Sequence, residues 1–313
     1  MKYLVIILLI LFLYFFITYI MFRLICKKFK KNFFPMSKNI DKILKSYQKI
    51  ISKGNDWVNE KIRNNEVRDL YIFSKDNLKL HGILIENKKN KGFFLEVHGY
   101  RSTAERDLYA SCFEYYNMGY SLLIIDNRIS NKSEGNYITF GIKESEDVIC
   151  WINYLNKNYL LSKIVLAGVS MGTSTILMSL KDIDDKMNVI CALADCGYIR
   201  AYDEILYCIK HYFHINGNLF ITMINFWCKV FAKYDLKEKD TLTSLSNANI
   251  PILFIHGEDD DFVPCENTII NYDKYHGPKK IVLFKNTSHG ISYLTDSKKY
   301  VNSIKMFVKK YNS

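Results

Sequence analysis

The sequence predicts an α/β fold: a mostly parallel eight-stranded sheet with helices on both faces, a helical cap and an apolar N-terminal helix. Three observations carry this. After Val67, short β-rich runs alternate with helical stretches in regular order. Between Asp195 and Ile250 that rhythm breaks, and two helical segments follow each other with no strand between them. At the N-terminus, Tyr3–Phe22 form twenty residues without a charge. Composition narrows the field. A 313-residue chain with 15% aromatic residues buries a sizeable core and does not stay disordered, and 14 Gly with 4 Pro exclude collagen-like and low-complexity chains.

The segment Tyr3–Phe22 is long enough as a helix to span a hydrocarbon core. A cleaved signal peptide is the alternative, but the apolar run is long for one and no small-x-small cleavage site precedes the basic stretch. Residues 1–31 are therefore expected to be a retained anchor with its basic flank. Lys2 stands alone on one side, whereas Arg23, Lys27, Lys28, Lys30 and Lys31 crowd the other. The positive-inside rule then places the C-terminal domain in the cytoplasm, as a single-pass protein. Eight scattered cysteines without a CxxC pair fit a reducing compartment. The net charge of +11 invites a nucleic-acid reading. However, residues 1–38 hold seven Lys or Arg and no acid, leaving 36 basic against 32 acidic groups elsewhere, too even for a nucleic-acid face.

Residues 32–66 read as an amphipathic linker helix. Ile40, Ile43, Leu44, Tyr47, Ile50 and Ile51 form a helical stripe, with Lys42, Lys45, Lys49 and Lys53 on other faces and Gly54 as the expected stop. Packing on the domain is the favoured role, and lying on the anionic leaflet the other. Residues 67–313 form the main domain. It opens with a hairpin, Asp69–Ser74 and Lys79–Glu86, turned at Asp76-Asn77. Buried strands are expected at Gly92–Val97, Tyr120–Asp126, Lys163–Gly168, Val189–Asp195, Ile250–His256 and Lys280–Lys285. Helices are expected at Thr103–Met118, Ile142–Asn156, Met171–Lys181, Glu266–Tyr275 and Lys298–Tyr311. The cap, at about 197–248, contains helices near Ala201–His214 and Leu219–Ala232 and is expected to roof a ligand crevice.

Gly168-Val169-Ser170-Met171-Gly172 sits between a strand and a helix, the context in which G-x-S-x-G presents a nucleophile. Gly168 and Gly172 leave room for the crowded turn, and the helix N-terminus favours an oxyanion. A serine needs a base, and the base an orienting acid. His289 follows the last strand and is the expected base; His98 and His256 end strands and are read as structural, while His211 and His214 lie in the cap. The acid is expected among Glu258, Asp259, Asp260 and Asp261, with Asp195 as the runner-up. Four consecutive side chains do not converge on one cation, and Cys208, His211 and His214 fan out around their helix, so no metal is expected.

On these residues the chain from about Asp69 to Tyr311 resembles the α/β-hydrolase superfamily, in particular bacterial hydrolases of the dienelactone-hydrolase and prolyl-oligopeptidase-like group. Asp76–Gly82 resembles the opening hairpin, His98-Gly99-Tyr100 the oxyanion turn, Gly168–Gly172 the nucleophile elbow and Ser288-His289-Gly290 the histidine loop. The family's Gly-x-x-Asp-x-x-Val-Pro begins at Gly257, which implies Asp260 as the acid. The resemblance further implies oxyanion donors at the Tyr100 and Met171 backbone N–H groups. One departure is Asp126–Gly135, where the family's His-Gly is missing, which leaves that loop's geometry open. The expected activity is that of a membrane-anchored serine hydrolase without a cofactor, acting on a small or lipid-like, apolar acyl ester. A peptidase or acyltransferase with the same triad, and a non-catalytic binding scaffold, are the rival readings.

Overall fold

The computed structural model describes residues 1–27 and 40–312. Helix α1 (Lys2–Cys26) is followed by α2 (Ile40–Ser46) and α3 (Gln48–Arg63). The expected boundary at 31/32 and the basic residues Lys28, Lys30 and Lys31 lie outside the described residues. Then come β1 (Val67–Phe73), β2 (Lys79–Ile85), β3 (Phe93–Val97), α4 (Ala104–Asp107), α5 (Tyr109–Asn117), β4 (Ser121–Ile125), α6 (Glu144–Asn158), β5 (Ile164–Val169) and α7 (Met171–Ser179). The second half contains β6 (Val189–Asp195), α8 (Ala201–Phe213), α9 (Asn218–Trp227), α10 (Thr241–Leu245), β7 (Ile252–Gly257), α11 (Glu266–Lys274), β8 (Lys279–Phe284), α12 (Ser292–Thr295) and α13 (Ser297–Tyr311).

All eight strands form one sheet in the order β1-β2-β4-β3-β5-β6-β7-β8. β1 and β2 pair antiparallel, β2 meets β4 antiparallel, and every later pairing is parallel. The central strands are largely apolar because helices cover both faces, with Glu96 in β3 and Asp195 at the end of β6 as exceptions. On one face Phe94, Ile124, Val165 and Leu193 pack under residues of α3, α5 and α13; on the other Leu95, Leu123, Leu166 and Phe254 pack under Trp151, Ile152 and Ile176. The expected helix Thr103–Met118 is broken at Leu108, whose buried side chain turns inward between α4 and α5.

Gly54 does not stop the linker helix. It lies mid-α3, where a Cβ would meet Tyr109 O at 2.2 Å and Ala110 Cα at 2.5 Å, so it lets α3 cross α5 at backbone contact. Ile43, Leu44, Tyr47, Ile50, Ile51 and Trp57 all pack on the core, and the stripe is the linker's docking face on the domain.

Among the described residues α1 is one helix long and apolar enough to cross a membrane. Its first turns are exposed, but Thr18, Phe22, Ile25 and Cys26 are buried in the cap core with Ile205, Ile209, Ile221, Ile224 and Cys228. The Trp227 indole N–H donates to Thr18 Oγ1 at 3.1 Å, and the Tyr14 hydroxyl donates to Leu219 O at 2.9 Å. A π-helical turn, Cys228–Ala232, closes the cap. α10 lies on the body instead: the Ser244 hydroxyl donates to Met178 O at 3.2 Å and the Thr241 hydroxyl to Asn271 Oδ1 at 2.5 Å.

Candidate active site

β5 runs directly into α7, and the turn between them is Ser170, with φ 56° and ψ −124°. A β-substituted residue adopts that conformation only where its surroundings enforce it. The enforcement is visible in the glycines. A Cβ on Gly172 would meet Val97 O at 2.1 Å, and one on Gly168 would meet Gly172 C and Thr173 N at 2.6 Å. Ser170 N–H is held by Asp195 O at 2.9 Å, and the Thr173 hydroxyl donates to Gly168 O at 2.6 Å.

The structure brings three of the sequence-predicted residues together. His289 Nε2 lies 2.8 Å from Ser170 Oγ, and His289 Nδ1 lies 2.6 Å from Asp260 Oδ2. Ser170 and His289 are buried, 7% and 4% exposed, so their hydrogen bonds work with little competition from water. Asp260 Oδ1 accepts from the Phe262 and Val263 N–H groups at 3.0 and 2.9 Å. Burial works against its charge, but His289 and His256 outweigh that and hold the Asp260 carboxyl far below the usual carboxylate range. Burial likewise opposes an imidazolium at His289; the Asp260 carboxylate and Cys196 prevail and raise its proton affinity well above that of free histidine.

The other carboxylates of the acidic run diverge. Glu258 and Asp259 are exposed, so the run is not a cation cage. Asp195, the runner-up acid, accepts from the Ser292 hydroxyl at 3.2 Å and sits beside Tyr300. In the cap, the Cys208 thiol points to Glu204 at 3.5 Å while His211 stacks on Tyr207, so Cys208, His211 and His214 do not form one site.

Two neighbours complete the site: His256, read from the sequence as structural but not placed against the acid, and Cys196, which the sequence reading did not single out. His256 Nε2 lies 3.0 Å from Asp260 Oδ2 and its Nδ1 2.7 Å from Thr268 Oγ1, so this strand-end histidine braces the acid. Its place four residues before Asp260 was the available signal. Cys196, whose thiol shares a 4.8 Å cluster with donor atoms of Asp260 and His289, had no such signal.

Opposite the serine, His98-Gly99-Tyr100 is clamped from several sides. Gly99 N–H donates to Asp107 Oδ2 at 2.8 Å, and a Cβ on Gly99 would stand 3.2 Å from that of Ser170. Met171 opens α7, where first-turn N–H groups lack helical partners. The Tyr100 hydroxyl donates to Ile25 O at 2.7 Å, and the Arg101 guanidinium reaches the Leu24 and Lys27 carbonyls, tying this turn to α1. The departing loop is held by other groups than a His-Gly. Arg128 pairs with Asp147 at 2.7 Å and Asp76 at 3.0 Å, Asp126 holds His81 at 2.6 Å, and the Asn127 amide donates to His98 O at 2.8 Å.

A cavity of about 380 Å³ opens at Ser170 and His289. Its walls correct the expected roof. They come from Leu44, Gln48, Ile51 and Asn55 of the linker, from the Gly99–Ser111 segment and from Gly290–Leu294, with none from 197–248. The cap's apolar side chains are instead consumed in packing on one another and on α1, with Met171 and Phe262 at their edge.

A family model of the prolyl oligopeptidase family matches residues 108–313, two thirds of the chain. The chain belongs to the prolyl oligopeptidase family. Its sheet places it in the α/β-hydrolase superfamily. Uncharacterized protein YqkD of Bacillus subtilis is 26% identical over 200 residues, spanning 63% of this chain and 65% of that protein, just under two thirds of its length. Among solved structures, Pyrococcus furiosus esterase Pf2001 superposes with a TM-score of 0.64 at 22% identity, covering 79% of this chain and 92% of the esterase. The acylaminoacyl peptidase of Pyrococcus horikoshii gives 0.58 at 17% identity, over 78% of this chain and 41% of the peptidase. At these identities the two structures share the fold.

Proposed function

We propose that this protein is a serine hydrolase, held at a membrane by α1, that cleaves a carboxylic ester through an acyl-enzyme. The observation that carries the reading is the hydrogen-bonded line from Ser170 Oγ through His289 to Asp260, with Ser170 held at positive φ in the turn between β5 and α7. Ser170 Oγ attacks the ester carbonyl carbon while its proton passes to His289 Nε2. Asp260 holds the imidazole ring in place and stabilises the cation that forms. The Tyr100 and Met171 N–H groups are assigned to the oxyanion, each worth about 3 kcal/mol in comparable sites. The His289 proton then leaves with the alcohol, and water repeats the sequence in reverse order to free the acid.

The anchor assignment rests on the exposed apolar turns of α1, and the charge asymmetry around it supports a cytoplasmic catalytic domain. Protease protection of a C-terminal tag in sealed inverted vesicles tests this: degradation is expected, and protection overturns the orientation. Membership in a peptidase family makes amide cleavage the second reading. Turnover of matched p-nitrophenyl esters and p-nitroanilides by the full chain in detergent micelles separates the two. Faster ester turnover with graded acyl length is expected, and selective anilide cleavage overturns the ester assignment.

A further inference from the structure

Strand register places three side chains side by side beneath the serine. Glu96 of β3 pairs with Ala167 of β5, and Ala167 with Leu193 of β6, so all three face the same side of the sheet. Two residues further along, Val169 and Asp195 form the next row on that face, and all five line the cavity that opens at Ser170. The cavity walls are mostly apolar, with Leu44, Ile51, Leu294 and Tyr293 among them, while its floor carries two carboxyl groups.

Glu96 is the anomaly. It is 1% exposed, in the middle of a central strand, and among the described residues its carboxyl accepts a hydrogen bond from the Cys112 thiol alone, at 3.6 and 4.0 Å. Among the described residues no Lys or Arg forms an ion pair with Glu96 or Asp195, and the rim adds Glu105 and Asp107 around Arg106. A thiol is a weak donor, so this carboxyl is desolvated with little in return. Desolvation pushes Glu96 up to about 8, so it remains poised to ionise against an incoming cation.

We infer that the cavity floor holds an ammonium-binding subsite built on Glu96, and that the preferred acyl group is apolar along its length with a protonated amine at its far end. This rests on Ser170 being the nucleophile. Ala167 lies three residues before Ser170, a strand rise of about 10 Å, so the amine belongs several bonds from the carbonyl carbon and not on the carbon next to it. On binding, the Glu96 carboxyl releases its proton to solvent and pairs with the ammonium, exchanging a thiol contact for a charge-assisted hydrogen bond.

The test compares p-nitrophenyl 6-aminohexanoate with p-nitrophenyl heptanoate, in which a methyl group replaces the ammonium. Wild-type full chain, Glu96→Gln and Glu96→Leu are assayed in neutral detergent micelles, and the readout is the ratio of kcat/KM values, which cancels general loss of activity. Wild type is expected to favour the amino ester by about tenfold or more, since a buried charged hydrogen bond is worth that much. Glu96→Gln is expected to lower the ratio at least about tenfold, and Glu96→Leu to reverse the preference. A wild-type preference for heptanoate, or a ratio that neither variant changes, overturns the subsite. Fluorophosphonate labelling of the same samples separates the two levels. Labelled Ser170 with an unmoved ratio removes the amine assignment alone, whereas an unlabelled wild type removes the nucleophile and the subsite together.

Discussion

Two buried carboxyl groups frame this site, one in the loop after β7 and one in the middle of β3, and their surroundings shift their proton affinities in opposite directions. Asp260 is 7% exposed and Glu96 1%, so depth alone does not separate them. Asp260 has two backbone N–H donors and two imidazoles within 3.0 Å, and together they stabilise its charge. Glu96 has one thiol. Burial penalises both carboxylates alike, and the supply of donors decides which of them stays ionised. The donor-rich acid is the one positioned to orient a base, and the donor-poor one is the one with capacity left for a ligand.

The largest expected break in this contrast is kinetic. Asp260→Asn should lower kcat for ester hydrolysis by about 10⁴-fold, because His289 loses both its orientation and its counter-charge. Steady-state kinetics on an activated ester checks it. The same change should also move the pH profile. Activity is expected to rise with pH as His289 loses its proton, and without the Asp260 carboxylate that limb should appear at lower pH.

Stability gives the next contrast. Asp260→Ala leaves the buried Phe262 and Val263 N–H groups without their acceptor and removes the counter-charge beside His289 and His256, and is expected to cost about 3–5 kcal/mol in denaturant unfolding. Glu96→Leu removes a poorly satisfied acid and should be neutral within about 1 kcal/mol, or stabilising. A comparable loss in both variants would show that Glu96 has donors equal to those of Asp260.

The pH dependence of stability sharpens the same point with opposite signs. The Glu96 carboxyl ionises at about 4.5 in the unfolded chain and about 8 in the folded one, so between those values the folded state binds the extra proton. Its contribution is therefore full below pH 4.5 and declines as pH rises to 8, by up to about 1.4 kcal/mol per pH unit. Glu96→Gln should thus gain on wild type across that window. For Asp260 the folded carboxyl is depressed, so its contribution is present above about pH 3.8 and is lost as pH falls below it. Asp260→Asn should gain on wild type only there.

His256→Gln is the mildest change. It removes the brace on Asp260 but leaves His289 in place, and about a tenfold drop in kcat is expected, with a smaller shift of the pH limb than Asp260→Asn.

How much of this was legible in the sequence follows from the range of the forces involved. The Ser170 turn is local: Gly168 and Gly172 are dictated by atoms within a few residues and one neighbouring strand, so the motif could be read directly. The hairpin was readable from its alternation and its Asp76-Asn77 turn, and the strands after it from their apolar runs, although the last of them, expected to be buried at Lys280–Lys285, is half-buried as β8. Gly54 was misread because a helix-stopping glycine and a helix-crossing glycine look alike until α5 is seen against α3. The roof was misassigned for a related reason: apolar cap helices do not reveal that α1 will take up their free face. Glu96 gave no signal, since its isolation depends on the register of β3 against β5 and on α5 closing over it.

The central claim is that Ser170 is an activated nucleophile. Fluorophosphonate labelling of the full chain in detergent micelles, alongside Ser170→Ala and His289→Ala, tests it most directly. Labelling of wild type at Ser170 that disappears in both variants is the expected result. A folded wild type that does not label, or one whose labelling survives Ser170→Ala, would contradict the account.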